Sequence, residues 1–182
     1  MNFERRFPVL HAPARWEWGG LDMVFSTTEP PDELVTNIHA VCFVGERIVV
    51  CRDGRDVWFL PGGTREEGES IVDCVARELR EEAGAVLAGP LGVVGAHRGV
   101  SDLPEPYRPW QPHPERAWLW VYADVTLDGA PTNPEDGEQV LEVRAVPAAE
   151  ARVLLLSDGA EFAEMIDLAV ELRARDSGAA RG

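Results

Sequence analysis

Residues 63–85 read GTREEGESIVDCVARELREEAGA, and the middle of this stretch decides the architecture of the chain. From Ser70 to Ala83 the apolar residues Ile71, Cys74, Val75, Leu79 and Ala83 recur at helical spacing. Ser70 supplies an N-cap with Asp73 three residues on, and Gly84 stands where a left-handed C-terminal cap belongs. Seven acids crowd this helix and the loop before it: Glu66, Glu67, Glu69, Asp73, Glu78, Glu81 and Glu82, against the three arginines Arg65, Arg77 and Arg80. At 100° per residue, Glu78, Glu81 and Glu82 fall at about 0°, 300° and 40°, one sector expected to lie opposite the inward-facing Val75 and Leu79. Like charges so placed weaken a helix by roughly tenths of a kcal/mol per pair, and a divalent cation reverses the sign of that effect. Hard oxygen ligands with no His or Cys beside them suit Mg²⁺ or Mn²⁺ and disfavour zinc. An acidic helix can also be a plain solvated face, so the spacing has to decide.

Ahead of the helix, VTNIHAVCFV, RIVVC and VWFL read as two or three antiparallel strands, with turns at Gly45-Glu46 and Asp53-Gly54-Arg55-Asp56. Pro61-Gly62-Gly63 then breaks the strand and opens a loop. Residues 1–34 carry four of the fourteen prolines and a Gly19-Gly20 pair between ARWEW and LDMVFST, which fits an N-terminal extension with a β-hairpin. Beyond the helix, LGVVGAHRG, AWLWVYADVTL and VLEVRAV read as strands. The first two are joined by SDLPEPYRPWQPHPER, a surface loop with five prolines in sixteen residues. Two further helices are expected near 148–156 and 159–175, and the tail 176–182 is expected to fray. The expectation is one main domain over 35–175.

Composition narrows the chemistry. With 17 basic and 32 acidic side chains the formal charge is −15, and every base is an arginine. The absence of lysine excludes lysine Schiff-base chemistry and the phosphate-cradling lysine of P-loop NTPases. An acidic surface without a basic stripe repels nucleic-acid backbones and anionic lipid, so neither is an expected partner. Cys42, Cys51 and Cys74 are odd in number, lack C-x-x-C spacing and lie in apolar runs, which reads as reduced core thiols of a cytoplasmic protein. No 18-residue apolar stretch and no secretion-type start are present in the sequence.

The spacing decides in favour of a site. Gly63, Glu69, Arg77, Glu78, Leu79, Glu81, Glu82 and Gly84 match the Nudix box, G-x5-E-x7-R-E-U-x-E-E-x-G-U with U a bulky aliphatic. At ~7% per residue type, seven fixed positions coincide by chance with a probability on the order of 10⁻⁸ per register. The departure is Ala85, at a packing position where a larger aliphatic is usual. The chain thus resembles the Nudix hydrolase family. The resemblance implies an α+β fold, an α/β/α sandwich with a mixed β-sheet, and Mg²⁺- or Mn²⁺-dependent hydrolysis of a nucleoside diphosphate linked to another group. It implies that Glu78, Glu81 and Glu82 ligate metal, with Glu69 a further ligand or supporting acid and the Gly62 carbonyl an additional ligand. Arg77 is implied to pair with these carboxylates and hold the loop to the helix.

A general base is expected among the motif glutamates or on the later loop, where Glu135 and Glu138 are the candidates. Substrate contacts are expected outside the box, from Arg98, Tyr107, Arg108 and Trp110, with His97, His113, Trp16 and Trp18 further candidates, because aromatics stack on bases and arginine binds phosphate bidentately. Trp118 and Trp120 share one strand face and read as core packing. Subfamily signatures for coenzyme A, NADH, ADP-ribose and diadenosine polyphosphate hydrolases are not evident, which leaves nucleoside triphosphates, nucleotide sugars and ADP-ribose open. The partner expected is a small nucleotide, with a homodimer the expected assembly. The competing readings are a non-catalytic nucleotide-sensing or partner-binding domain, and isomerisation of an isoprenoid diphosphate on the same fold.

Overall fold

A computed structural model describes residues 2–135 and 139–179. In chain order the elements are α1 (Phe3–Arg6), β1 (Ala14–Trp16), β2 (Leu21–Ser26), β3 (Val35–Val44), β4 (Arg47–Asp53), β5 (Trp58–Phe59), β6 (Gly62–Thr64), α2 (Ile71–Glu78), β7 (Ala85–Leu87), β8 (Gly92–Ser101), β9 (Glu115–Leu127), β10 (Val140–Pro147), α3 (Ala148–Leu154) and α4 (Glu161–Ala179). Among the described residues the sheet runs β1-β2-β8-β9-β3-β4-β10, with β5 on β4, β6 on β3 and β7 on β9. The central pair, β3 and β9, is parallel from Val35↔Ala117 to Phe43↔Asp124, and the other pairs are antiparallel, so the sheet is mixed.

Each long strand alternates its buried residues between two apolar clusters, as period-two geometry requires. Ile38, Ala40, Cys42, Leu119 and Val121 pack under α2 with Cys74, Val75 and Leu79. Val41, Phe43, Trp120 and Tyr122 pack with Leu155 and with Met165, Ile166 and Ala169 of α4 on the opposite side. The result is a three-layer α/β/α sandwich in an α+β chain. Cys42, Cys51 and Cys74 are free and buried. No helix among the described residues is long and apolar enough to cross a membrane.

Two local expectations change. Gly62–Thr64, read as loop, forms the short strand β6 against β3, with His39↔Gly62, Ile38↔Gly63 and Asn37↔Thr64 in register. Glycine permits this, because a Cβ at Gly62 would stand 2.4 Å from the His39 Cα and the Ile38 oxygen, at a φ of +151°. The motif helix is α-helical only to Glu78, and Leu79–Ala83 forms a π-helical turn before Gly84 closes it at φ +58°. Such wide turns in a helix often mark functional sites. Ala85 opens β7 opposite Leu127 and is fully buried.

Candidate functional site

Helix α2 is started by Ser70, whose hydroxyl accepts from the Asp73 N–H at 3.1 Å and donates to Oδ2 of Asp73 at 2.6 Å. From there the helix carries Arg77 over the loop that precedes it. The Arg77 guanidinium donates to both Glu69 oxygens at 2.9 and 3.0 Å, to Glu78 Oε1 at 2.8 Å, to Glu81 Oε2 at 3.3 Å and to the Thr64 carbonyl at 3.0 Å. One side chain therefore joins β6, the loop and both ends of the acidic cluster. Arg65 closes the loop by donating to the Glu69 carbonyl at 2.6 Å, and the Glu66 N–H donates to Glu69 Oε2 at 2.9 Å.

Glu78 and Glu82 do not face away from the apolar residues of the helix. They are 8% and 6% exposed and share its buried side with Val75 and Leu79. At 100° per residue, Val75 and Leu79 lie only about 60° and 100° from Glu78, so the acid sector adjoins the apolar one. The glycines of β6 make room for the buried acids. A Cβ on Gly63 would meet Glu78 Oε1 at 2.3 Å, and the Gly62 N–H donates to Glu82 Oε2 at 2.8 Å.

The two acids on either side of Arg77 titrate in opposite directions. Burial raises Glu78 above the usual carboxylate range, and the adjacent Arg77 offsets that only in part. Burial also pushes Glu69 upward, but the Arg77 hydrogen bonds and the Glu66 N–H outweigh it and hold Glu69 below the usual range. Arg77 is held firmly charged, chiefly by Glu69. Among the described residues no three carboxylate, imidazole or thiolate groups converge closely enough to enclose an ion. The motif carboxylates are engaged by Arg77 and by the Gly62 amide.

The segment that leads to the second candidate base is tied to the π turn. The Thr132 and Asn133 N–H groups donate to the Arg80 and Glu81 carbonyls, each at 3.2 Å. The Asn133 side chain brackets Val140, donating to its carbonyl at 3.0 Å and accepting from its N–H at 2.8 Å. Glu135 is exposed just beyond this anchor. Glu138 lies outside the described residues.

On the other face of β6 a cavity of about 240 Å³ reaches Gly62. Its walls include Trp16, His39, His97, Trp118, Trp120 and Phe162. Trp118 and Trp120, read from sequence as packing, thus line a void, while Trp120 also belongs to the core. The expected contacts Arg98, Tyr107, Arg108 and Trp110 are not on these walls. Arg98 pairs with Glu115 at 2.8 Å, Tyr107 meets the edge of Trp18 with Arg108 over its own ring, and Trp110 flanks a hollow between the proline-rich loop and the loop at Glu66–Ser70. His113 is exposed.

Sequence reasoning passed over His39 and Arg116. Arg116 is 5% exposed and donates to Thr36 Oγ1 at 3.0 and 3.2 Å, Asn37 Oδ1 at 3.3 Å and Gln111 Oε1 at 3.4 Å. Among the described residues it has no carboxylate partner, and burial lowers its pKa from the ordinary arginine value. Its role here is to anchor the proline-rich loop, through Gln111, to the start of β3. No single-sequence signal marks it, since its β3 partners Thr36 and Asn37 lie 80 and 79 residues away.

Comparison with known proteins adds four findings. Residues 34–168 match the model of the NUDIX domain. The chain is 43% identical over 51 residues to the mouse (Mus musculus) protein named 8-oxo-dGDP phosphatase NUDT18, which covers 28% of this chain and 16% of that relative's length. The structure of the Bacillus subtilis pyrophosphohydrolase BsRppH superposes with a TM-score of 0.57 at 15% identity, over 83% of this chain and 91% of that one. An ADP-ribose pyrophosphatase of Streptococcus suis aligns at 20% identity and TM-score 0.48, over 74% of this chain and 88% of that one.

Proposed function

The chain belongs to the NUDIX domain family, and from that premise we propose that it hydrolyses a pyrophosphate bond in a nucleoside diphosphate linked to another group, with Mg²⁺ or Mn²⁺. The observation that carries the reading is the convergence on β6: Gly62 bonded to Glu82, Gly63 packed on the Glu78 carboxylate, and Arg77 holding Glu69, Glu78 and Glu81 around them.

The donor set fits a hard divalent cation. It is all oxygen, two of its carboxylates are buried, and the missing Cβ of Gly63 leaves the space that the Glu78 carboxylate fills. Burial raises Glu78, and a neighbouring cation would relieve that strain. Glu78, Glu81, Glu82 and the Gly62 carbonyl would hold the ion, with Glu69 supporting through Arg77. When bound, the ion would neutralise charge on the non-bridging oxygens of the pyrophosphate and make a water more acidic. The protein's own contribution is positional. Arg77 keeps the carboxylates in one cluster, and the π turn ties Thr132 and Asn133 to the end of the helix; of the acids that follow in the chain, Glu135 or Glu138 takes a proton from the attacking water. With no lysine in the chain, phosphate binding rests on metal and arginine.

Substrates to try first are 8-oxo-dGDP, after the activity in the mouse relative's name, and then nucleoside triphosphates, ADP-ribose and nucleotide sugars. The buried thiols support a cytoplasmic setting. The test is phosphate or nucleotide release across that panel with Mg²⁺ or Mn²⁺, with Glu82→Gln beside the parent. Turnover of one class that disappears in Glu82→Gln is expected; a silent panel, or activity unchanged by Glu82→Gln, overturns the reading. At saturating metal, Glu135→Gln and Glu138→Gln decide the base, because both keeping kcat within a few-fold removes that loop from the mechanism.

A further inference from the structure

Arg116 is buried with no carboxylate beside it among the described residues, and taking a charged group out of water against neutral partners alone is costly. Joining β9 to β3 does not require a charge, because neutral groups of similar size would do so at lower cost. What a guanidinium alone provides is a rigid plane of donors with no acceptor.

That one-sided chemistry orients its neighbours. Arg116 meets Asn37 at Oδ1, 3.3 Å away, so the Asn37 amide turns its oxygen to Arg116 and its nitrogen the other way. There Nδ2 donates to Thr64 Oγ1 at 3.1 Å. Asn37 is 6% exposed, and with its amide reversed two donors would face each other at Arg116 with little water to separate them. Thr36 is fixed in the same way. Its hydroxyl accepts from Arg116 at 3.0 and 3.2 Å and donates to the Ala117 carbonyl at 3.3 Å, while its own carbonyl accepts the Arg65 N–H at 2.9 Å.

Both residues thus grip the end of β6 and the start of the loop that follows it. β6 has three residues, two of them glycine, so it brings few side chains of its own to fix its place on the sheet. Yet it floors the acidic cluster: the Gly62 N–H holds Glu82, the gap over Gly63 takes Glu78, and the Thr64 carbonyl holds Arg77. We propose that Arg116 and Asn37 are positioning residues for cation binding, which act through Thr64 to hold β6, Arg77 and its glutamates in the geometry that accepts a divalent ion. The inference rests on the cation site proposed above but not on hydrolysis, so the two fail separately.

Mn²⁺ titration of the full chain, followed by loss of the free-ion electron paramagnetic resonance signal, reads the site without turnover. Thr64→Val deletes the acceptor of the Asn37 bond and keeps the branched shape and the backbone carbonyl. It is expected to weaken Mn²⁺ binding about five-fold, less than the roughly ten-fold or more usual for groups that touch a metal ligand directly. Arg116→Met, which keeps a long stem, is expected to do the same. Thr64→Ser retains the hydroxyl and is expected to bind within about two-fold of the parent. Gln111→Leu removes the longest of the Arg116 hydrogen bonds, 3.4 Å, and leaves Asn37 in place, so it too should stay within about two-fold. Urea midpoints are measured alongside, since a merely structural role lowers the midpoint and leaves the Mn²⁺ affinity of the folded protein unchanged. In turnover, the weaker binding becomes about a three-fold loss at the Mn²⁺ concentration that half-saturates the parent and vanishes at saturating Mn²⁺, with the KM for nucleotide unchanged. Thr64 is only half-buried, and its two substitutions decide should Arg116→Met fail to fold.

Thr64→Val or folded Arg116→Met binding Mn²⁺ like the parent overturns the inference, as does Thr64→Ser or Gln111→Leu weakening it as much as Thr64→Val. A parent protein that binds no Mn²⁺ removes the inference and the cation site together. The expected losses of affinity with no turnover of any substrate leave the inference standing and remove the hydrolase reading.

Discussion

The two faces of the central β3–β9 pair are built from different materials. Toward α2 the strands present Ala40, Cys42, Ala117, Leu119 and Ala123, mostly small residues that let the helix and its buried glutamates lie close to the sheet. Toward α4 the same strands present His39, Trp118, Trp120, Val41 and Phe43, and these large rings leave a cavity. Close packing on one face brings carboxylates to backbone glycines at hydrogen-bond range. Loose packing of rigid rings on the other leaves a shaped hole with polar atoms in its wall. The difference teaches that side-chain size on one sheet sets what each face can hold: small residues admit buried carboxylates beside backbone glycines, and large rings leave an aromatic-walled void.

That contrast can be broken most decisively at Glu78. Glu78→Gln removes the charge but keeps the shape, and turnover is expected to fall by at least about 100-fold for every substrate alike, a loss of about 2.7 kcal/mol or more of transition-state stabilisation. A loss confined to one substrate would mean that the acidic face also selects. The glycines of β6 sharpen the comparison next. Gly63→Ala meets only the movable tip of Glu78, so activity should drop by about ten-fold while the urea midpoint stays near that of the parent. Gly62→Ala instead meets the backbone of β3 at a strained φ, and should lower stability by roughly 1–3 kcal/mol or more in the same denaturation.

The smallest effect expected is the pH response of the cavity face. Burial holds His39 and His97 neutral, each with a pKa of about 4 against an ordinary 6.5. The unfolded chain takes up these protons first, so this contribution to stability is complete above pH 6.5 and is lost as pH falls toward 4. His39 faces Trp118, Trp120 and His97, with Arg55, Asp158 and Glu161 on the same cavity wall. Urea unfolding at pH 7 and pH 5 should show the loss, and His39→Phe should flatten it. An equal slope in His39→Phe would place the titration elsewhere.

How much of this was legible varied with the range of the interaction. The Ser70 cap, the helical spacing around Cys74, Val75 and Leu79, and the runs of β3, β9 and β10 are all local, and each left a pattern within a dozen residues. The strand at Gly62–Thr64 was not legible, because three residues with two glycines have no strand propensity and pair only because β3 is already there. The burial of Glu78 and Glu82 was misplaced by treating the acids as opposed to Val75 and Leu79, when the angles leave them adjacent and Gly63 supplies the space. Arg98, Tyr107 and Arg108 qualify by residue type alone, as aromatic or cationic residues outside the box, but β8 carries Arg98 to an ion pair and the proline-rich loop carries Tyr107 and Arg108 to a surface stack, both away from the cavity.

By itself the sequence determined the family and the acidic constellation, since a box of 23 residues holds its own ligand spacing on one loop and one helix. Only the tertiary structure decided what lies across from it. The parallel pairing of β3 with β9 joins residues about 80 apart, setting His39 beside Trp120 and Asn37 beside Trp118. A pairing of that reach depends on the whole core closing, and no local pattern encodes it.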